Sequence, residues 1–163
     1  MKLNTLLASA PMMLFCVSVL GAPGKLSPAD EAAAFKAAGY KLKGKQWRVC
    51  DDDPNPSSTP GAVGEMRDVN GDGLPEVVLT EGGTFCYGNT GAGYYLVSKQ
   101  AKGSWKLITS GTGIVTFLNT KGVGGWPDIQ VGGPGFCHPV ERWNGKEYVL
   151  QRHEYEGKAC RRK

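Results

Sequence analysis

The chain has 163 residues, a formal net charge of +4, 21% charged and 40% hydrophobic residues. So mild a positive balance, with no basic run interleaved with aromatics, argues against a nucleic-acid partner. The length suits one domain around one core.

Residues 1–21 carry the features of a secretory leader. Lys2 is the positive start, an apolar run spans 6–20, and small Gly21 and Ala22 follow. The run is too short for a membrane span and ends on small residues, so it reads as a signal peptide. The mature domain is then expected over 22–163, periplasmic or secreted, with no membrane span after leader removal. Loss of Lys2 lowers the formal charge from +4 to about +3. Cys16 leaves with the leader, and Cys50, Cys86, Cys137 and Cys160 remain. An even count in an oxidising compartment predicts two disulfides.

Ser27-Pro28-Ala29-Asp30 has the chemistry of a helix start: a capping hydroxyl, a proline suited to the first turn and an acid near the dipole's positive end. Strong helix formers follow, so a helix is predicted over about 28–38, stopped by Gly39. Phe35 is its one large side chain, which predicts light docking.

Beyond Gly39 the texture changes to short β-branched and aromatic runs broken by Gly, Pro, Asn and Asp. Strands are predicted near 46–50, 76–80, 84–87, 93–99, 104–109, 113–118, 128–131, 137–142 and 147–154. Residues 51–61 read as a rigid polar loop.

An internal repeat organises this region. Set without gaps, Gly73 meets Gly125, Leu74 meets Trp126, Pro75 meets Pro127 and Glu76 meets Asp128. Each segment leads to a Phe-Cys pair, Phe85-Cys86 and Phe136-Cys137, predicted as middle strands. Each then reaches a glycine hairpin closed by an aromatic, Trp105 or Tyr148, and Gly44 with Trp47 forms a third such hairpin. The expected fold is mainly β with one short N-terminal helix: an incomplete β-propeller, or a two-sheet β structure, built from two blade-like repeats at about 68–109 and 120–154. The repeat favours Cys50–Cys86 and Cys137–Cys160 as local staples, with Cys86–Cys137 as the competing cross-blade bond.

The loop Asp68-Val69-Asn70-Gly71-Asp72-Gly73-Leu74-Pro75-Glu76 predicts one calcium site. Calcium takes six to eight oxygens. Asp68, Asn70 and Asp72 alternate, so a curled loop turns all three toward one centre. The Leu74 carbonyl takes the seventh position and Glu76 the ninth, directly or through water. The twelfth position is Leu79 and a strand follows, which excludes an EF-hand. Magnesium, which resists dehydration, fits less well. The competing reading is an acidic turn that binds nothing. The second copy, with Thr120, Gly122 and Gly124, has lost the donors.

This pattern resembles the Asp-x-Asx-x-Asp-Gly loops of FG-GAP repeats in integrin-type β-propellers. The resemblance implies a structural calcium ion at the head of a strand.

No catalytic motif is recognisable. Gly-x-Ser-x-Gly, His-Glu-x-x-His and a phosphate-binding loop are all absent, and His138 and His153 belong to no triad pattern. The chain is therefore expected not to be an enzyme.

One turn invites a binding role. Thr90-Gly91-Ala92-Gly93-Tyr94 is similar to the Ser-Gly-x-x-Tyr loop that periplasmic lysozyme inhibitors insert into the lysozyme cleft, with Thr for Ser. Some immunity proteins against peptidoglycan hydrolases also combine a propeller-like β-fold with a calcium loop. These resemblances imply a protein-binding module that inhibits a lysozyme-like or other cell-wall hydrolase through Thr90, Gly91, Gly93 and Tyr94. The alternatives are a hairpin turn whose tyrosines pack on a neighbouring strand, and a calcium-stabilised structural or adhesion module without inhibitory activity. Trp126 reads as a core residue or an interface anchor.

Overall fold

The structure, a computed structural model, describes residues 25–50 and 58–161. The expected leader, most of the polar loop at 51–61 and the last two residues of the basic tail lie outside that range.

Helix α1 (Pro28–Ala37) forms where its start signals stand. The Ser27 hydroxyl accepts the Asp30 N–H at 3.1 Å, and Gly39 takes a positive φ of 87° beyond its end. Its docking is firm, not light. Ala34 lets the helix approach closely, while Phe35 is fully buried, stacked on Trp47 at 5.1 Å and edge-on to Tyr40 at 5.1 Å. Asp30 adds polar ties to Lys99 Nζ at 2.9 Å and to Trp105 Nε1 at 3.1 Å.

After a small hairpin of β1 (Lys41–Lys43) and β2 (Gln46–Arg48), the chain runs up and down through two antiparallel sheets. The first holds β3 (Thr59–Arg67), β4 (Glu76–Gly82), β5 (Ala92–Lys99) and β6 (Trp105–Thr112). The second holds β7 (Ile114–Lys121), β8 (Pro127–Gly132), β9 (His138–Trp143), β10 (Tyr148–Tyr155) and β11 (Lys158–Ala159). The fold is mainly β, in these two larger sheets and the separate two-stranded β1–β2 sheet, and the described residues form no closed propeller. β4 and β8, which follow the two aligned loops, each stand second from an edge of their sheet.

Two expectations about strands change. Residues 84–87 form one helical turn, α2 (Thr84–Tyr87), and Phe136-Cys137 lies in the connection before β9. Neither Phe-Cys pair is a middle strand. Gly82 pairs directly with Ala92 in the β4–β5 register, so residues 83–91 are left outside the ladder. Conversely, β3 occupies a stretch whose Pro60, Gly61 and Gly64 look like breakers. It is an edge strand, where a proline and irregular register are tolerated.

Successive residues of a strand face opposite ways, and the first sheet is covered on both faces. Val77, Leu79, Val97 and Trp105 meet α1 through Ala34 and Phe35, together with Tyr40 just beyond the helix. Val78, Tyr94 and Leu96 meet the second sheet through Trp126 and Trp143. The sheets are joined by Gly113 alone. A Cβ there would lie 2.6 Å from the carbonyl oxygen of Gly132, the β8 residue that pairs with Ile114, so a side chain at this crossing would press on β8 where β7 begins.

Antiparallel strands place alternate connections at opposite ends. The 68–75 loop, the β5–β6 hairpin and the 122–126 segment share one end. The 83–91 segment, Gly113 and the 133–137 connection share the other, where both disulfides form. These are Cys50–Cys86, with Cα atoms 6.2 Å apart, and Cys137–Cys160, at 5.6 Å. The cross-blade alternative is not made.

Candidate functional site

The loop between β3 and β4 curls through a chain of side-chain-to-backbone hydrogen bonds. The Asp68 carboxylate accepts the N–H of Gly71 at 2.7 Å and of Gly73 at 2.9 Å. Asn70 Oδ1 accepts the Asp72 N–H at 2.8 Å, and Asp72 Oδ1 accepts the Leu74 N–H at 2.8 Å. Asp, Asn and Gly are the residues that favour such turns, and Gly71 and Gly73 both take φ 84°. Asn70 Nδ2 stands between two further carboxylates, 3.2 Å from Asp72 Oδ2 and 3.3 Å from Glu76 Oε1. Asp68, Asn70, Asp72 and Glu76 are thus brought into one loop, with Leu74 half-buried at its exit. Among the described residues, no three His, Cys, Asp or Glu side chains are gathered tightly enough to hold a metal by themselves. Asn70 occupies the place between the acids.

Glu76 heads β4 and is 1% exposed. Its carboxylate accepts from the Val69 N–H at 2.9 Å, the Ser98 hydroxyl at 2.8 Å and Asn70 Nδ2. None of these partners carries a positive charge. Burial pushes its pKa up, and Asp72 and Asp68 push the same way against the Val69 and Ser98 hydrogen bonds.

Asp128 fills the corresponding place at β8, fully buried, and its surroundings differ. Arg142 grips it with Nε and Nη2, both at 2.9 Å; Arg152 Nη1 adds a third contact at 3.0 Å and the Thr120 hydroxyl a fourth at 2.6 Å. The Arg142 guanidinium holds this carboxyl well below the usual carboxylate range, with Thr120 and Arg152 assisting against burial. Ser98 pairs with Glu76 across β4 and β5. The β8–β9 register sets Ile129 against Glu141, which places Arg142 at the matching position. One repeat thus neutralises its buried acid with its own arginines, and the other has a serine there. The alignment of Glu76 with Asp128 was visible in the sequence. The roles of Ser98, Arg142 and Arg152 were not, because they depend on strand register.

The two loops also touch. A Cβ on Gly125, whose φ is 80°, would sit 2.5 Å from the Asn70 carbonyl oxygen. Trp126, one residue on, packs on Trp143 at 5.5 Å and Tyr148 at 6.4 Å, so it is a core residue.

The second predicted site is split by the fold. Thr90 and Gly91 are half-buried at the disulfide end, but Gly93 is buried and Tyr94, 3% exposed, is turned into the space between the sheets. His138 and His153 stand on neighbouring strands without facing each other: His138 pairs with Glu154 and His153 with Pro139. The buried Glu81 accepts the N–H groups of Val49 and Cys50 and the Tyr87 hydroxyl at 2.7 Å, which seats the Cys50–Cys86 staple on β4. Comparison with known proteins finds no matching family model, no matching curated protein and no matching solved structure.

Proposed function

We propose that the chain is an exported, calcium-stabilised β-module that acts by binding another protein of the cell envelope and not by catalysis. The contrast between Glu76 and Asp128 carries the calcium reading. A buried carboxylate is offset by a compensating charge or by hydrogen-bond donors alone, as at Glu81. Glu76 differs from Glu81 in having two further acids beside it. Asp128 receives a compensating charge from Arg142 and Arg152, whereas Glu76 faces Asp68 and Asp72, which repel it. An all-oxygen donor set suits a hard cation. Asp68, Asn70, Asp72, the Leu74 carbonyl and Glu76 are the residues to hold it. Calcium would supply positive charge beside the buried acid, and at a hundredfold excess over its dissociation constant it stabilises by about 2.7 kcal/mol.

The paired cysteines fit an oxidising compartment, and the leader features at 1–21 support export to the periplasm or beyond. Inhibition of a peptidoglycan-lytic enzyme through the Thr90 turn retains only the half-buried Thr90 and Gly91 and loses Tyr94 to the core. That burial favours the second reading, a structural or adhesion module of the envelope without inhibitory activity.

Melting of metal-depleted protein with and without calcium tests the site, using the wild type and Glu76→Gln. Calcium is expected to raise the wild-type midpoint. The variant, having lost a buried uncompensated charge, melts above metal-free wild type and ignores calcium. A wild type that shows no shift and retains no metal on purification overturns the calcium reading.

A further inference from the structure

Phe136 and Phe85 are the most exposed of the large apolar side chains among the described residues, at 75% and 65%. Each immediately precedes a disulfide cysteine, and the two positions correspond in the sequence repeat. They lie in the β4–β5 and β8–β9 connections, at the same end of the sheets. Those connections touch: a Cβ on Gly133 would sit 3.3 Å from the Thr90 hydroxyl. Phe136 rests edge-on against Tyr155 at 5.1 Å, and Tyr155 stands 6.2 Å from the His138 ring. The staples fix the backbone beneath both rings, so the aromatic surface is held in place before any partner arrives.

Each staple also leads to basic residues. Cys160, bonded to Cys137, lies between the exposed Lys158 and Arg161, and Lys158 pairs with Tyr155 across β10 and β11. Arg48 stands two residues before Cys50, the partner of Cys86. Glu156 is an exposed acid in the same turn, and Glu154 is already paired with Arg152.

We propose that this end is the docking surface for an acidic protein, with Phe85 and Phe136 as anchors and Lys158 and Arg161 as a charged rim. The inference rests on the reading of the chain as a protein-binding module. Aromatic anchors ringed by polar groups are the usual pattern of binding hot spots, and complementary charge supplies steering and register. An anionic membrane is the weaker occupant, because lipid-binding clusters gather about four to eight basic residues, and among the described residues the rim offers Lys158, Arg161 and the half-buried Arg48, with the exposed acid Glu156 beside them.

The test uses the full mature chain with both disulfides formed. Envelope proteins retained by it are identified, and the leading one is purified and titrated against wild type, Phe85→Ser/Phe136→Ser and Lys158→Glu/Arg161→Glu. The expected partner is acidic. The aromatic variant binds at least about tenfold more weakly with an unchanged melting temperature, since both rings are exposed. The charge variant binds more weakly, and salt reproduces its effect. A purified partner that binds both variants as well as wild type overturns the surface and leaves the module reading standing. Phenylalanine-dependent binding to phosphatidylglycerol vesicles, or phenylalanine-dependent self-association without a partner, also overturns it. If no envelope protein binds, the module reading falls as well.

Discussion

Tyr94 and Tyr95 are neighbours in β5 that serve opposite faces of one sheet. Tyr95 packs on Tyr40 at 5.0 Å beneath α1, and its hydroxyl meets that of Tyr87 at 3.1 Å. Tyr94 goes the other way, to the tryptophans of the second sheet, and burial pushes its phenol up to about 12. Tyr94→Ala should therefore cost about 3 kcal/mol or more, read from urea unfolding. Loss of any binding activity in that variant would track the loss of fold. A result within about 0.5 kcal/mol of wild type, the range of a surface substitution, would contradict the core placement. The sequence could not reveal this division. In a strand buried on both faces, adjacent apolar residues give no alternation to read.

At the scale of elements, what was legible was local. The Ser27 cap, Pro28 and Gly39 mark α1 closely, and the glycine hairpins before Trp47, Trp105 and Tyr148 all form. What failed was contextual. β3 was hidden because only its place at an edge makes Pro60 acceptable, and α2 was misread because the direct pairing of Gly82 with Ala92 leaves its residues no ladder to join. The candidate site was legible as a pattern of donors, but its electrostatic contrast needed the registers that bring Ser98 to Glu76 and Arg142 to Asp128. That contrast has a consequence at acid pH. Asp128 has a depressed folded pKa, so its contribution is present above the unfolded value near pH 4 and is lost as pH falls through the folded one. Asp128→Asn should cost about 2 kcal/mol at neutral pH, discounted because both arginines reach water. The difference from wild type should shrink as pH falls below about 3. Denaturant midpoints across that range check it, and a gap independent of pH would count against the charge pairing.

At the scale of the whole molecule, the two ends of the strands carry different chemistry. One end holds the acidic loop, the other the staples and exposed aromatics, so a ligand at either end leaves the other open to solvent. Between them the first sheet forms the middle layer, with α1 on one face and the second sheet on the other. The passage through Gly113 bears on how the chain will behave under digestion. A protease needs several residues of pliable backbone in its cleft, and the step from Thr112 to Ile114 offers one glycine pressed against the Gly132 carbonyl. Limited trypsin or subtilisin treatment should therefore never release the two sheets as separate halves, despite their separate hydrogen-bond ladders, and any nick will fall within the connections of one sheet or the other.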